Sequence, residues 1–279
     1  MTTTHARPRT AAEPRLTLSH LLTSERIKLT SRRSTFIIGG LILVMMVATA
    51  ASMVFGLDTA GGVTAQTVAG LVTGGVVGAQ FAGLALGAIA VGGEYKTGRI
   101  RSVLNADPGR IRTLVAKAVV TAAVAFTVTL VSAIVAYAAA QLVLVFTGAE
   151  TQLIDATALR MLLGAALHVS LITVAGVGMA AALRKTAPGV SVMIALIWTL
   201  PAAASILPAG IAGTVVSYMP STAGASLYAA GAGQSAAAFA AMSVRGAETL
   251  PFFLGLAVLI AWVALFWGLG AWLTKRRDI

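Results

Sequence analysis

The residues of this chain that could do chemistry are few, and their densest group is gathered in one place. Glu94, Lys96, Arg99, Arg101, Asp107, Arg110, Arg112 and Lys117 all fall between Gly92 and Lys117, a basic island flanked by two long apolar runs. So dense a set of charges cannot sit in hydrocarbon, and its excess of Lys and Arg places it on the cytoplasmic side of a membrane. Within it, Ile100, Val103 and Leu104 fall at i, i+3 and i+4 while Arg99, Arg101 and Asn105 point elsewhere. That is the pattern of a short helix lying flat on a surface. Asp107 and Pro108 then suit the N-cap and first position of the next helix. Two uses fit such an island: a solvated loop that obeys the positive-inside rule, or a docking element for a cytoplasmic protein.

Elsewhere the chemistry is sparse. There is no G-x-x-x-x-G-K-[ST] loop to cradle nucleotide phosphates, so the chain is expected to bind no nucleotide in that way. The histidines, His5, His20 and His168, stand far apart and form no H-E-x-x-H, so no catalytic, metal or cofactor-binding residue is assigned. His168 falls inside an apolar run, where an ionisable group is either functional or neutral and hydrogen-bonded. A backbone carbonyl, Gln80 or Gln141 would satisfy it, and that structural role is the less costly of the two. No Asp or Glu is expected near the middle of a span, which argues against a proton- or sodium-driven carrier. Cysteine is absent, which excludes disulfides and thiolate metal sites.

The elements that must position these residues follow from composition. Apolar residues make up 58% of the 279 positions and charged residues 10%, with a mean hydropathy of +0.90, whereas soluble domains are about one quarter charged. The fold class is therefore an all-α membrane protein. About 20 apolar residues cross the ~30 Å hydrocarbon layer, so the length accommodates roughly six crossings. The net charge of +11 flanks membrane segments and is not laid along an aromatic-lined groove. It fits a lipid bilayer rather than nucleic acid.

Residues 1–15 read as a disordered cytoplasmic tail. Residues 16–33 read as an interfacial amphipathic helix, with Leu18, Leu21, Leu22 and Leu29 on one stripe and Arg26, Lys28, Arg32 and Arg33 toward headgroups. Residues 34–279 form a six-helix transmembrane domain with spans at about 35–57, 67–91, 118–146, 158–183, 189–207 and 251–273. In the second, Gly70, Gly74 and Gly78 are spaced by four, as are Gly83 and Gly87, so one face admits another helix closely. Packing within the chain is the favoured use of that face, a dimer seam the other. Pro201 is positioned to kink the fifth span. Residues 209–250 read as short external helices dipping into the outer leaflet before the last span, which ends in Lys275, Arg276 and Arg277. With both termini cytoplasmic, nearly all Lys and Arg lie inside, leaving Arg160 and Arg245 outside.

Two stretches carry a family resemblance. Ser24, Glu25, Lys28 and Leu29 are similar to the S-E-x-x-K-L pattern that precedes the first span of many bacterial type-2 ABC transporter permeases. Glu94, Gly98, Leu104, Pro108, Arg110 and Lys117 resemble the pattern that follows the second membrane helix in the same family. The layout resembles that family along most of the chain, although the motifs are short. The resemblance implies the permease subunit of an ATP-driven exporter in a bacterial inner membrane. It further implies a separate ABC ATPase that holds ATP and Mg, and a homodimer or a heterodimer with a related permease. The segment between spans two and three would be the coupling helix seated on the ATPase, through Glu94, Arg99, Ile100, Arg101, Val103 and Leu104. Arg110 and Lys117 would anchor the third span at headgroups. An ion-coupled secondary carrier, or a non-transporting scaffold or immunity protein, are the alternatives. Nothing in the residues selects a substrate.

Overall fold

A computed structural model describes residues 18–57, 62–96, 111–149, 152–204, 206–229 and 249–276, with the backbone alone at Lys96 and Ala209. The described residues are predominantly helical, without a strand. Among the described residues six helical stretches are long and apolar enough to cross a membrane: Arg33–Val54, Val76–Tyr95, Ile111–Phe146, Ala156–Leu183, Thr186–Ala204 and Phe252–Arg276. Large apolar side chains stand outward from them, among them Phe36 (69% exposed) and Phe253 (82% exposed). That outer surface suits lipid: in hydrocarbon every backbone polar group must be satisfied within the segment, which a helix does by itself.

Helix α1 (Leu18–Thr30) lies beside the bundle and is joined by a short turn to α2 (Arg33–Val54). Glu25 and Leu29 form its buried face, while Leu18 is 48% and Ile27 59% exposed. Of the apolar stripe expected from Leu18 to Leu29, Leu22 and Leu29 pack against the core while Leu18 stays outside it. The second apolar run is not one helix. It divides into α3 (Ala65–Gly74), N-capped by the Thr64 hydroxyl, and α4 (Val76–Lys96). The break falls at Gly75, where a Cβ would lie 2.6 Å from the Cα of Met46. Backbone contact with α2 at that point excludes every other side chain.

Helix α5 (Ile111–Phe146) begins earlier than the apolar run alone suggests, and its 36 residues give about 54 Å, well beyond the hydrocarbon thickness. Helix α6 (Ala156–Leu183) starts at the Asp155 cap, whose carboxylate accepts from Ala158 N at 2.6 Å. It is the central helix, packed by α4, α5 and the last helix, α11 (Phe252–Arg276). Arg184 ends α6 in a left-handed conformation (φ 56°). The fifth span follows as α7 (Thr186–Ile194), a π-helical turn (Ala195–Thr199) and α8 (Leu200–Ala204). The expected disturbance at Pro201 takes this form: Leu200 N donates to Ala195 O, a register widened by one residue. Proline has no N–H and crowds the carbonyl four residues back, and a wider turn before it relieves both.

Between the fifth and sixth spans lie α9 (Ala209–Ser217) and α10 (Pro220–Ala229). Their packing is deeper than that of surface helices. Trp262 Nε1, about ten residues into α11, donates to Tyr218 O at 2.8 Å. Almost all of α10 is buried, with Gly224 against the His168 ring and Leu227 against Gly164. The chain thus re-enters the bundle between α6 and α11. His168 is about twelve residues, or ~18 Å, from the start of α6, near half the ~30 Å hydrocarbon thickness.

Candidate functional site: a charge cluster at the basic end

Lys117 lies two turns inside α5, its side chain 3% exposed. A lone ammonium there would cost several kcal/mol in lost hydration. It is met by two carboxylates: Glu25 Oε2 of α1 at 2.6 Å and Glu94 Oε1, in the last turn of α4, at 2.9 Å. Lys28, one turn beyond Glu25 on α1, closes the group, 2.6 Å from Glu25 Oε1 and 3.3 Å from Glu94 Oε1. Two carboxylates and two ammonium groups leave the cluster with no net charge. Both carboxylates and Lys117 are buried, while the Lys28 side chain is 35% exposed at the rim.

Burial pushes the Glu25 carboxyl upward, but Lys117 and Lys28 outweigh it, and the group is held below its ordinary value of 4.5. Burial likewise pushes the Lys28 ammonium down, and Glu25 and Glu94 lift it above its ordinary 10.5. The contribution of Glu25 to stability is therefore complete above 4.5 and lost as pH falls through the lowered value. That of Lys28 is complete below 10.5 and lost as pH rises through the raised one.

The cluster ties three elements that are remote in sequence: α1, the end of α4 and the start of α5. Glu94 and Lys117, which flank the segment at 97–110 in sequence, are thus tied to one another and to α1. Of the residues expected at a docking surface, Glu94 is 2% exposed and faces Lys117 and Lys28. Arg99, Ile100, Arg101, Val103 and Leu104 lie outside the described residues, as does Arg110. Glu25 and Lys28 are on α1 as expected, with Glu25 turned to the bundle. Lys117 corrects the expectation of a headgroup anchor: α5 begins six residues before it, and its ammonium is spent on carboxylates. No local signal could have shown this, because its partners stand 23 and 92 positions away.

Gly70 is buried in α3. A Cβ at Gly74 would come within 3.3 Å of Met53 and Thr49 on α2, and one at Gly78 within 3.0 Å of Met45. Gly83 and Gly87 face α6 instead. A Cβ at Gly83 would be 2.7 Å from Val169 Cγ1, and one at Gly87 would run into the Thr173 carbonyl. These four glycines thus serve two crossings within one chain. Without a hydrophobic drive between helices in lipid, such close approach is what makes packing favourable. Gly178 and Gly270 do the same between α6 and α11: a Cβ at Gly178 would be 2.5 Å from Trp267 Cα.

A second polar group sits at the level of His168. His168 Nε2 is 3.1 Å from Gln80 Oε1, which also accepts from the Ser221 hydroxyl at 3.0 Å. The imidazole and the Tyr228 ring meet in a T-shaped arrangement, with ring centroids 5.7 Å apart. Gln80 is thus the partner, whereas Gln141 donates to Tyr137 Oη and to Gln152 O. Among the described residues no group of three or more His, Cys, Asp or Glu is placed to hold a metal ion.

Fold and site together define an all-helical, multi-pass membrane protein whose basic end is fastened by a neutral ion-pair cluster. Neither a protein-family model nor a curated protein matches the chain.

Proposed function

We propose that this chain is the membrane-spanning permease subunit of an ATP-driven transporter of the type-2 ABC class, working as an exporter. ATP and Mg would be held by a separate ATPase subunit, and the pathway would be formed with a second copy or a related permease. The observation that supports this reading is the meeting of the two stretches that resemble the family. Glu25 and Lys28 come from one, Glu94 and Lys117 from the other, and all four join in one cluster. A partner pressing on residues 97–110 would then move the ends of α4 and α5 and the whole of α1 as one unit. Glu94 is on this view a positioning residue, and contact with the ATPase falls to Arg99, Ile100, Arg101, Val103 and Leu104. On this reading that end, with its surplus of Lys and Arg, and both termini would face the cytoplasm of a bacterial cell.

The test is co-purification with a phosphate-loop protein encoded beside this chain, and stimulation of its ATP hydrolysis. Arg101→Glu with Leu104→Asp is expected to abolish the stimulation; stimulation at the wild-type level would overturn the docking role.

An ion-coupled carrier draws on one observation, that Glu94 is a buried carboxylate in a candidate span. Its place at the very end of α4 and its two lysine partners suit a fixed charge rather than a proton acceptor. Transport by the purified chain alone, down an ion gradient, would establish that reading instead.

A further inference from the structure

Beside the charge cluster, α1 and α5 leave a groove of about 580 Å³. Its two walls differ in chemistry. On α1, Thr23, Arg26 and Thr30 form one side, a helical face adjacent to the one that carries Glu25 and Leu29. On α5, Val119, Ala123 and Val128 belong to a mostly apolar wall, with Val119 52% exposed and the Thr127 hydroxyl turned to Ala123 O of its own helix. From Val119 to Val128 this wall rises nine residues, about 14 Å at 1.5 Å per residue, close to half of the ~30 Å hydrocarbon layer. No carboxylate lines the groove, and among the described residues Arg26 makes no ion pair. The two carboxylates nearby are turned away and neutralised by Lys28 and Lys117.

A cation at the mouth and an apolar wall one leaflet tall call for an amphiphile with an anionic head. We propose that the groove seats one anionic phospholipid of the leaflet at the basic end, its phosphate on Arg26, a headgroup hydroxyl on Thr23 and an acyl chain along α5. Arg26 supplies a guanidinium suited to phosphate oxygens, and the Thr23 hydroxyl, which donates to Ser19 O, has lone pairs free for a headgroup hydroxyl. So placed, the lipid braces α1 against α5 next to the ion pairs that hold the same two helices. It does not depend on which protein drives the bundle.

The test is native mass spectrometry of the purified full chain in mild detergent with equimolar phosphatidylglycerol and phosphatidylcholine. The wild type is expected to retain phosphatidylglycerol preferentially. Arg26→Gln should cut that preference about fivefold, the effect of one cation near an anionic surface, while Arg33→Gln, a charge loss outside the groove, should cut it less. Ala123→Trp, which fills the groove from an exposed position, should reduce retention of both lipids, with circular dichroism unchanged. Equal retention of the two lipids by the wild type, an Arg26→Gln effect no larger than that of Arg33→Gln, or full retention by Ala123→Trp would each overturn the proposal. Displacement of phosphatidylglycerol by millimolar inorganic phosphate would assign the Arg26 site to a free anion, and so would overturn it too.

Discussion

Replacing Lys117 by methionine keeps the length and apolar stem of the side chain and removes only the ammonium. In the wild type that ammonium bonds Glu25 at 2.6 Å and Glu94 at 2.9 Å, and all three side chains are at most 5% exposed. The variant leaves two buried carboxylates facing a single cation, Lys28, whose 3.3 Å reach to Glu94 is the longest of the four bridges. Stranding a buried charge in this way costs about 3–5 kcal/mol. Lys28→Met removes an ammonium that is 35% exposed, and the carboxylates keep Lys117, so about 1 kcal/mol is expected. Equilibrium unfolding in mixed micelles, followed by tryptophan fluorescence, gives both numbers. Adding Glu94→Gln to Lys117→Met removes one of the stranded charges and is expected to recover part of the loss. A Lys117→Met cost below about 1 kcal/mol, or one equal to that of Lys28→Met, would refute the claim that burial is what gives this cluster its strength.

Three further outcomes follow from the same geometry. Gly87→Ala pushes a methyl group into the Thr173 carbonyl and is expected to cost about 1–3 kcal/mol, while Gly40→Ala, with nothing within 4 Å, should change stability by less than about 0.5 kcal/mol in the same unfolding assay. Gly224→Ala drives its methyl into the His168 ring, so combining it with His168→Ala should be less destabilising than the sum of the two, by about 1 kcal/mol or more in a double-mutant cycle. Unfolding midpoints should not fall between about pH 5 and 10 on account of the cluster, and should fall below pH 4.5 as the depressed Glu25 carboxyl takes up its proton; Glu25→Gln should remove that acid limb.

What could be read from the chain before its fold was the part written in local composition. Runs such as Thr35 to Val54 or Phe252 to Leu273 announce themselves as helices of bilayer length, and their outward side chains are apolar because nothing else survives in lipid. Interruptions were harder. Gly75 splits an apolar run not by its own propensity but because the backbone of α2 passes 2.6 Å from where its Cβ would be. Residues 209–229 read as short external helices dipping into the outer leaflet, and their small residues let α10 go further, in against Gly164, His168 and Gly255. Charge was hardest of all. Arg112 and Lys117 look alike in sequence, and both fall within α5; one is exposed and the other is in the core of the ion-pair cluster. The difference lies in Glu25 and Glu94, which only the fold brings to Lys117.

In the proposed permease, residues 97–110 would face the cytoplasm and be covered there by a separate ATPase. The chain has no cysteine, so Ser102→Cys provides a single thiol in that segment. The most direct measurement is its reaction with a membrane-impermeant maleimide in intact cells and in inverted vesicles, with and without the phosphate-loop partner. The account predicts reaction in inverted vesicles only, and protection when the partner is bound. Reaction in intact cells, or no protection by a partner that co-purifies, would contradict it.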